Sequence, residues 1–463
     1  MEHLWSSLLN GYLPWDRSSP RRRLARFATE AVGLESDHSP SPIRLATEGS
    51  GPGCEPGKAA KSGLRGKKAA MVLFSYYPAD PRPRRAADAL LKAGMSVDLI
   101  CLRDESASKR ETLNGINVFR LPITHTRGGK LAYAYEYSAF ILMSMAILGL
   151  RSLRNRYDLV YVNNMPDILV LSSMIPKMLG AKVILDLHDP MPELMMTIFG
   201  LDRRSLAVRL MARLEKWSIA SANLVLTVNI ACKRIFSSRS CPSEKIGIVM
   251  NSPDEDVFPL ESQPLRARTN QTANKRFVIM YHGSIVERNG LDLAIDALAL
   301  VRKRVPAAEL RIYGRKTPFL KQVMEEVLSR GLDESVRYLG GKRLEELVQE
   351  IADCDVGIIP NHQNAFTEIN TPTRIFEYLA RGKPVIAPRT SGIQDYFDQE
   401  SLIFFESGNA RDLARKIEFV CSHSDETMEV AKRGQQVYLA HTWSQERETL
   451  VSLVSQLLTD EPA

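Results

Sequence analysis

Residues 277–314 read FVIMYHGSIVERNGLDLAIDALALVRKRVPAAELRIYG. An apolar run (277–283) ends in glycine, a helical pattern follows over 290–304, and a second apolar run (309–314) closes the unit. Strand, helix and strand in that order predict a βαβ unit and a parallel sheet. The alternation continues through a helix at 318–330, VRYLGG (336–341), a helix at 343–352, VGIIP (356–360), a helix at 372–381, PVIAP (384–388) and LIFFE (402–406). Upstream the same texture begins at Ala69. MVLFSYY, SVDLICL, INVFRLP, DLVYVNN, AKVILDLH and LVLTVN read as strands, with helices around 84–93, 131–154, 166–179 and 205–220. Residues 253–275 are polar with several prolines and read as a linker. Two α/β domains, 69–252 and 276–440, are therefore expected on either side of a hinged cleft.

Composition bounds what such a protein does. The 463 residues suit two domains, and 44% apolar with 25% charged residues is ordinary for a globular chain. Of the formal charge of +7, residues 1–69 supply +4, from eleven Lys/Arg against seven Asp/Glu. The remainder is only mildly basic, which speaks against a nucleic-acid surface and allows attraction to phosphates or lipid headgroups. Residues 1–68, rich in Pro, Gly, Ser, Arg and Lys from Ser18 on, read as a disordered basic extension. Six scattered cysteines without a CxxC pair suit free thiols in a reducing compartment, and no HExxH pair suggests zinc. The start of the chain lacks the long apolar run of a signal peptide, so a cytoplasmic protein is expected. YSAFILMSMAILGL (137–150) is shorter than the ~20 residues that span a bilayer. It reads as a buried helix or as an interfacial one, giving peripheral membrane contact helped by Arg151, Arg154 and Arg156.

Ligands of open parallel sheets bind beyond the carboxyl ends of the strands. There the most informative stretch is TPTRIFEYLARGKPVIAP (371–388). Thr371 reads as an N-cap, Pro372 as the first helical residue, and Gly382 as a left-handed terminator. The free amides of that helix, with Arg374 one turn in, make a seat for a phosphate. Glu377 interrupts an apolar face formed by Ile375, Phe376, Tyr378 and Leu379. A carboxylate there needs hydrogen-bond donors, which a ribose diol supplies and which water supplies equally to a solvated glutamate. Gly283 and Gly290 bracket a second strand-to-helix loop, where glycine lets backbone approach a phosphate. In the first domain His188 follows a strand, as a structural or a functional histidine. The arginines of YYPADPRPRR (76–85) face the cleft, to meet an anionic acceptor or stay solvated.

With these residues in view, the chain over about 69–460 resembles the family-4 retaining glycosyltransferases, in the subgroup with a Pro-Thr-(Lys/Arg)-x-x-Glu-Tyr motif. The resemblance implies the GT-B fold, two Rossmann-like doubly wound domains facing across a cleft, with 441–463 as a terminal helix crossing back to the first. The family's two glutamates stand eight positions apart. Glu377, followed by Gly382-Lys-Pro-Val-Ile-Ala, matches the second, which binds the donor ribose. Ile369 occupies the first position, and Glu368, one residue earlier, is the candidate to reach the sugar from a flexible loop. The 281–292 block matches the family's diphosphate loop, with Ser284 and Asn289 in its basic places. Arg288 and Arg315 are the candidates to supply the charge, guanidinium being suited to phosphate. The family has a histidine where His188 stands, close to the transferred sugar.

The activity implied by the resemblance is sugar transfer from a nucleotide-diphosphate donor to a hydroxyl of a glycan or lipid-linked acceptor, with retained anomeric configuration and no metal or other cofactor. It suggests polysaccharide or glycoconjugate biosynthesis, in the cytoplasm or on the cytoplasmic membrane face. Two rival readings are a non-catalytic nucleotide-sugar-binding partner subunit and a nucleotide-sugar epimerase of similar fold.

Overall fold

The computed structural model describes residues 63–104, 107–123, 130–261 and 276–459. The first sheet holds β1 (Lys68–Tyr76), β2 (Ser96–Leu102), β3 (Arg110–Leu113), β4 (Ile116–Leu121), β5 (Leu159–Asn163), β6 (Lys182–Leu187), β7 (Leu224–Thr227) and β8 (Ile246–Ile248). Its order is β3-β4-β2-β1-β5-β6-β7-β8, parallel except for β3 against β4. The second sheet holds β9 (Phe277–His282), β10 (Ala308–Tyr313), β11 (Val336–Tyr338), β12 (Val356–Ile358), β13 (Val385–Pro388) and β14 (Ile403–Phe405), in the parallel order β11-β10-β9-β12-β13-β14. Helices cover both faces of such sheets, so their central strands read as unbroken apolar runs rather than alternating ones. In β5 all five residues are buried. The strand order reverses between β1 and β5 and between β9 and β12, and crevices open at those points.

The structure differs from the sequence-based expectation in several places. Leu64 is fully buried in the first core, and the Gly66 amide bonds to Gly94 O, so the extension does not reach 68 as a disordered segment; residues 1–62 lie outside the described ones. Of the expected linker, 253–261 follows the second domain, with Phe258 buried in its core and Glu261 N bonded to Ala380 O, while 262–275 lies outside the described residues. Four strands or α-helices in the first domain have no counterpart in the predicted elements: β3, β8 and the helices Met191–Phe199 and Ile230–Arg239. The helix Lys130–Arg154 is partly buried: Phe140 and Leu148 sit in the core while Leu142, Leu150 and Leu153 stand exposed. Its stretch Tyr135–Arg154 is 20 residues long with mean hydropathy 1.2, enough by length and composition to cross a membrane. Arg151, expected to support interfacial contact, is held by Asp98 at 2.6 Å and by the Tyr157 hydroxyl. The helix Trp443–Thr459 lies on the first domain, where Leu450 and Val454 complete the core beside the Pro81–Lys92 helix.

Candidate functional site

The second-domain wall is built where β9 ends. His282 is nearly buried, and its Nε2 lies 2.5 Å from Glu377 Oε2. Its Nδ1 lies 2.8 Å from the Tyr378 hydroxyl, which in turn donates to Met280 O at 2.9 Å. Burial pushes the Tyr378 phenol well above its ordinary range, so that hydroxyl keeps its single proton. With its hydroxyl proton donated to Met280 O, Tyr378 is left to accept from His282 Nδ1–H. The contact with Nε2 fixes the Glu377 carboxylate through Oε2. Oε1 has no hydrogen bond among the described residues, and the side chain keeps 14% of its surface exposed. Sequence reasoning found Glu377 but missed His282, although it stands immediately before Gly283.

Arg374 shapes the adjoining loop. It donates from Nη1 to His282 O at 2.7 Å and from Nη2 to Asn361 Oδ1 at 3.3 Å, with its guanidinium 5.1 Å over the Tyr281 ring. Those donors hold backbone and Asn361 in place, a structural share that the phosphate-seat reading did not include. Gly283, at φ 118°, runs so close that a Cβ would stand 3.1 Å from Arg374 Cδ. A Cβ on Gly290 would fall 1.8 Å from Pro360 O, so only glycine fits where the loop turns into the Leu291–Val301 helix. Arg315 is exposed at the end of β10 beside Gly341, and no side-chain partner stands near it among the described residues.

Thr371 does not cap the following helix. That helix begins at Thr373, with Pro372 in the cap position and no side-chain cap bond. The Thr371 hydroxyl instead donates to Gly392 O at 2.7 Å and accepts from Asn229 Nδ2 of the first domain at 3.1 Å. Gly382 ends the helix at φ 63°, in the left-handed region. Glu368 is not on a free loop: its Oε1 accepts from Ser391 N at 3.0 Å, and its carbonyl accepts from Ser391 Oγ and Gly392 N. Ile369 turns its side chain into the first-domain core, and its carbonyl accepts from Asn229 Nδ2 at 2.9 Å.

Across the cleft, β6 delivers Asp186 and then His188. The Arg82 guanidinium grips Asp186 with two bonds of 2.9 and 2.5 Å, and the Tyr161 hydroxyl adds a third at 2.7 Å. Burial works to raise the Asp186 carboxyl, but Arg82 and His188 hold it well below the usual range. The His188 amide donates to Asn164 Oδ1 at 2.9 Å, while Asn164 Nδ2 holds Asp189 O and Asp167 Oδ1. His188 Nε2 is buried, 3.5 Å from Asp186 Oδ2, without a hydrogen bond. Burial raises the Asp189 carboxyl, countered by His188 and by Arg288 from the opposite domain. Burial likewise lowers Arg288, countered by Asp189, so the charges of Asp189 and Arg288 act on each other across the cleft.

Of the arginines of 76–85, Arg82 and Arg85 are neither solvated nor free for an acceptor, while the half-buried Arg84 side chain has no hydrogen bond among the described residues. Arg82 is consumed by Asp186, Val249 O and Asn251; Arg85 binds Ser252 O and lies 5.0 Å over the Trp443 ring. Burial lowers Arg85 to about 10, and Glu377 is among the charges that act on it. One side of the cleft is closed by contacts between domains: Thr197 with Asn364, Tyr396 with Ile230 N, and Arg234 with Asp395 at 2.7 and 2.9 Å.

Residues 79–252 match the family model described as Glycosyl transferase 4-like domain, and residues 263–437 match that described as Glycosyl transferases group 1. The chain is similar to the probable glycosyltransferase WbjE of Pseudomonas aeruginosa, 22% identical over 53% of this chain and 60% of that protein. It is also similar to sulfoquinovosyl transferase SQD2 of Arabidopsis thaliana, 22% identical over 60% of this chain and 52% of that one. The chain thus spans about half to three-fifths of the length of these curated relatives. Among solved structures, sucrose-phosphate synthase of Thermosynechococcus elongatus superposes with a TM-score of 0.67 at 18% identity, covering 84% of this chain and 99% of that one. Anabaena HepE in complex with UDP-glucose gives 0.63 at 16% identity, covering 84% and 99%. The fold is GT-B.

Proposed function

We propose, for a chain whose two domains are those of a GT-B glycosyltransferase, that it moves a sugar from a nucleotide-diphosphate donor to a hydroxyl with retained configuration. The observation that carries the reading is the Glu377 carboxylate: His282 fixes one oxygen, and the other is unspent near the loop that starts at Gly283, whose φ of 118° favours glycine. In this reading Oε1 accepts from the ribose diol, and the Gly283–Gly290 loop with Arg288 meets the diphosphate. Arg374 packs on Gly283, Arg315 follows Gly314, which abuts Gly283 O, and in this reading both serve the donor while His188 and Glu368 flank the sugar.

The bond from the anomeric carbon to the diphosphate oxygen breaks as the acceptor oxygen attacks from the same face. The hydroxyl proton passes to the departing diphosphate. Charge grows on that leaving group, so donors already aimed at it lower the barrier. No protein nucleophile and no divalent metal is assigned a part. HepE is named with UDP-glucose and a mycobacterial relative as GDP-mannose-dependent, on a phosphatidylinositol mannoside. For this chain we propose a glycan or lipid-linked acceptor, reached from the cytoplasm or the cytoplasmic membrane face.

The test is a panel of UDP-, GDP- and ADP-sugars read by thermal shift, since a ligand of the folded state alone raises its melting temperature. One class should stabilise the chain, and none doing so would sink the reading. Ile369, where the family carries its first glutamate, favours a second reading as a donor-binding subunit without catalysis. Donor turnover with acceptor present separates the two.

A further inference from the structure

The helix Leu206–Ser221 has an outer face unlike one that meets only water. Inward it buries Val208, Glu215, Ser218 and Ile219. Outward stand Leu206, 81% exposed, Leu210, 52%, and Trp217, 43%. Positions 206, 210, 213 and 217 form one stripe of an α-helix, so Arg213 lies in line with the three apolar side chains. Arg209 and Lys216 are exposed beside the stripe, and Arg203 and Arg204 just before the first turn. None of these five cations joins an ion pair among the described residues. The helix's one acid, Glu215, is turned inward and bound to Arg239.

The neighbouring elements extend this surface. Of the fifteen large apolar side chains that stand exposed among the described residues, ten belong to the helices Lys130–Arg154, Met174–Met178 and Leu206–Ser221. All three helices touch the 3-10 turn Asp167–Ser173 on one face of the first sheet. A solvated helix face carries polar side chains, and a folded monomer seldom gathers its exposed apolar residues on one layer.

We propose that this layer docks on an anionic lipid surface, with Leu206–Ser221 as the contact helix. Leucine and tryptophan side chains set among unpaired arginines fit the boundary between headgroups and acyl chains. There the apolar parts enter and the guanidinium groups stay at the phosphates. The charge on this helix face is of one sign, which selects an anionic surface over a neutral one. The helix starts shortly after Met191–Phe199, whose Thr197 bonds to Asn364 of the second domain, so the surface runs toward the domain contact that closes one side of the cleft. The proposal stands on this surface alone and holds whatever sugar is transferred.

The test uses the full chain with vesicles of neutral phosphatidylcholine, or of phosphatidylcholine with phosphatidylglycerol, at low and high salt, without donor or acceptor. Co-flotation is expected with the anionic vesicles only, and weaker at high salt. Replacing Arg209, Arg213 and Lys216 together by Gln should weaken it roughly fivefold per charge, about a hundredfold in all. Because all three are exposed, the melting temperature should hold. Brominated acyl chains should quench indole fluorescence, and Trp217→Phe should remove most of that quenching. Equal flotation of the triple variant, or undiminished quenching in Trp217→Phe, would overturn the proposal. So would vesicles that never bind together with a Leu210→Ser/Trp217→Ser variant that turns a dimer into a monomer in sedimentation, since the face would then be a subunit contact.

Discussion

Replacing Glu377 by Gln keeps the side chain's length and an oxygen that can accept from His282 Nε2, but removes the negative charge. In the structure Oε2 is already engaged 2.5 Å from His282, so the oxygen left for a ribose hydroxyl is Oε1. A hydrogen bond to a charged acceptor contributes roughly 1.5–3 kcal/mol. Its loss should weaken donor binding about tenfold to a hundredfold. Ribose contacts act alike in ground and transition states, so the damage should show as a raised donor KM with kcat little changed. Glu368→Gln, if that residue flanks the reacting sugar, should lower kcat more than it raises KM. The assay is titration calorimetry with the stabilising nucleotide sugar, alongside steady-state kinetics and a melting curve to show that the variant folds. Wild-type donor affinity in folded Glu377→Gln protein would refute the ribose assignment.

Arg82→Leu strands the fully buried Asp186 carboxylate and should cost roughly 3–5 kcal/mol in urea unfolding. Asp167, buried beside Asn164, is raised from 3.8 to about 7. A raised carboxyl stabilises the fold fully below its unfolded value and loses that stability as pH climbs toward 7, so Asp167→Asn should flatten the fall seen between pH 4 and 7. Unfolding curves at pH 4, 6 and 8 check this, and an unchanged pH slope would contradict it. Removing residues 1–62 should leave the melting temperature in place, whereas removing 1–66 also deletes the buried Leu64 and should lower it by several degrees. Transfer should survive excess EDTA, and activity restored only by added magnesium or manganese would count against a metal-free step.

The two sheets were legible because a strand covered on both faces leaves an unbroken apolar run, and the loops and helices after those runs held Glu377, Gly283 and His188. β3 escaped because RETL is polar, an edge strand whose register is set by the Asn114–Gly115 turn. That dipeptide was a readable hairpin signal. The Ile230–Arg239 helix is capped by Asn229, whose Oδ1 accepts from Cys232 N at 2.7 Å, a second readable local signal. Other features have no local signature. Thr371 looks like a cap until Asn229, 142 positions away, takes its hydroxyl. No spacing rule joins His282 to Glu377, 95 residues on, or Arg82 to Asp186, 104 residues on. Such pairs depend on which strand ends become neighbours, and the sheet order decides that.

The Trp443–Thr459 helix gives this molecule an unusual timetable. Leu450 and Val454 are fully buried in the first domain, and Leu453 crowds against Gly247, where a Cβ would lie 2.6 Å away. A ribosome delivers the first 250 residues long before this helix, so the nascent first domain waits with an apolar slot open while the second domain is made. The entropy of closing so long a loop grows only as the logarithm of its length, so the late arrival costs little once it comes. Until then the open slot is a natural place for a chaperone to hold, and a chain stalled before Trp443 would carry it permanently, marked for recognition by protein quality control.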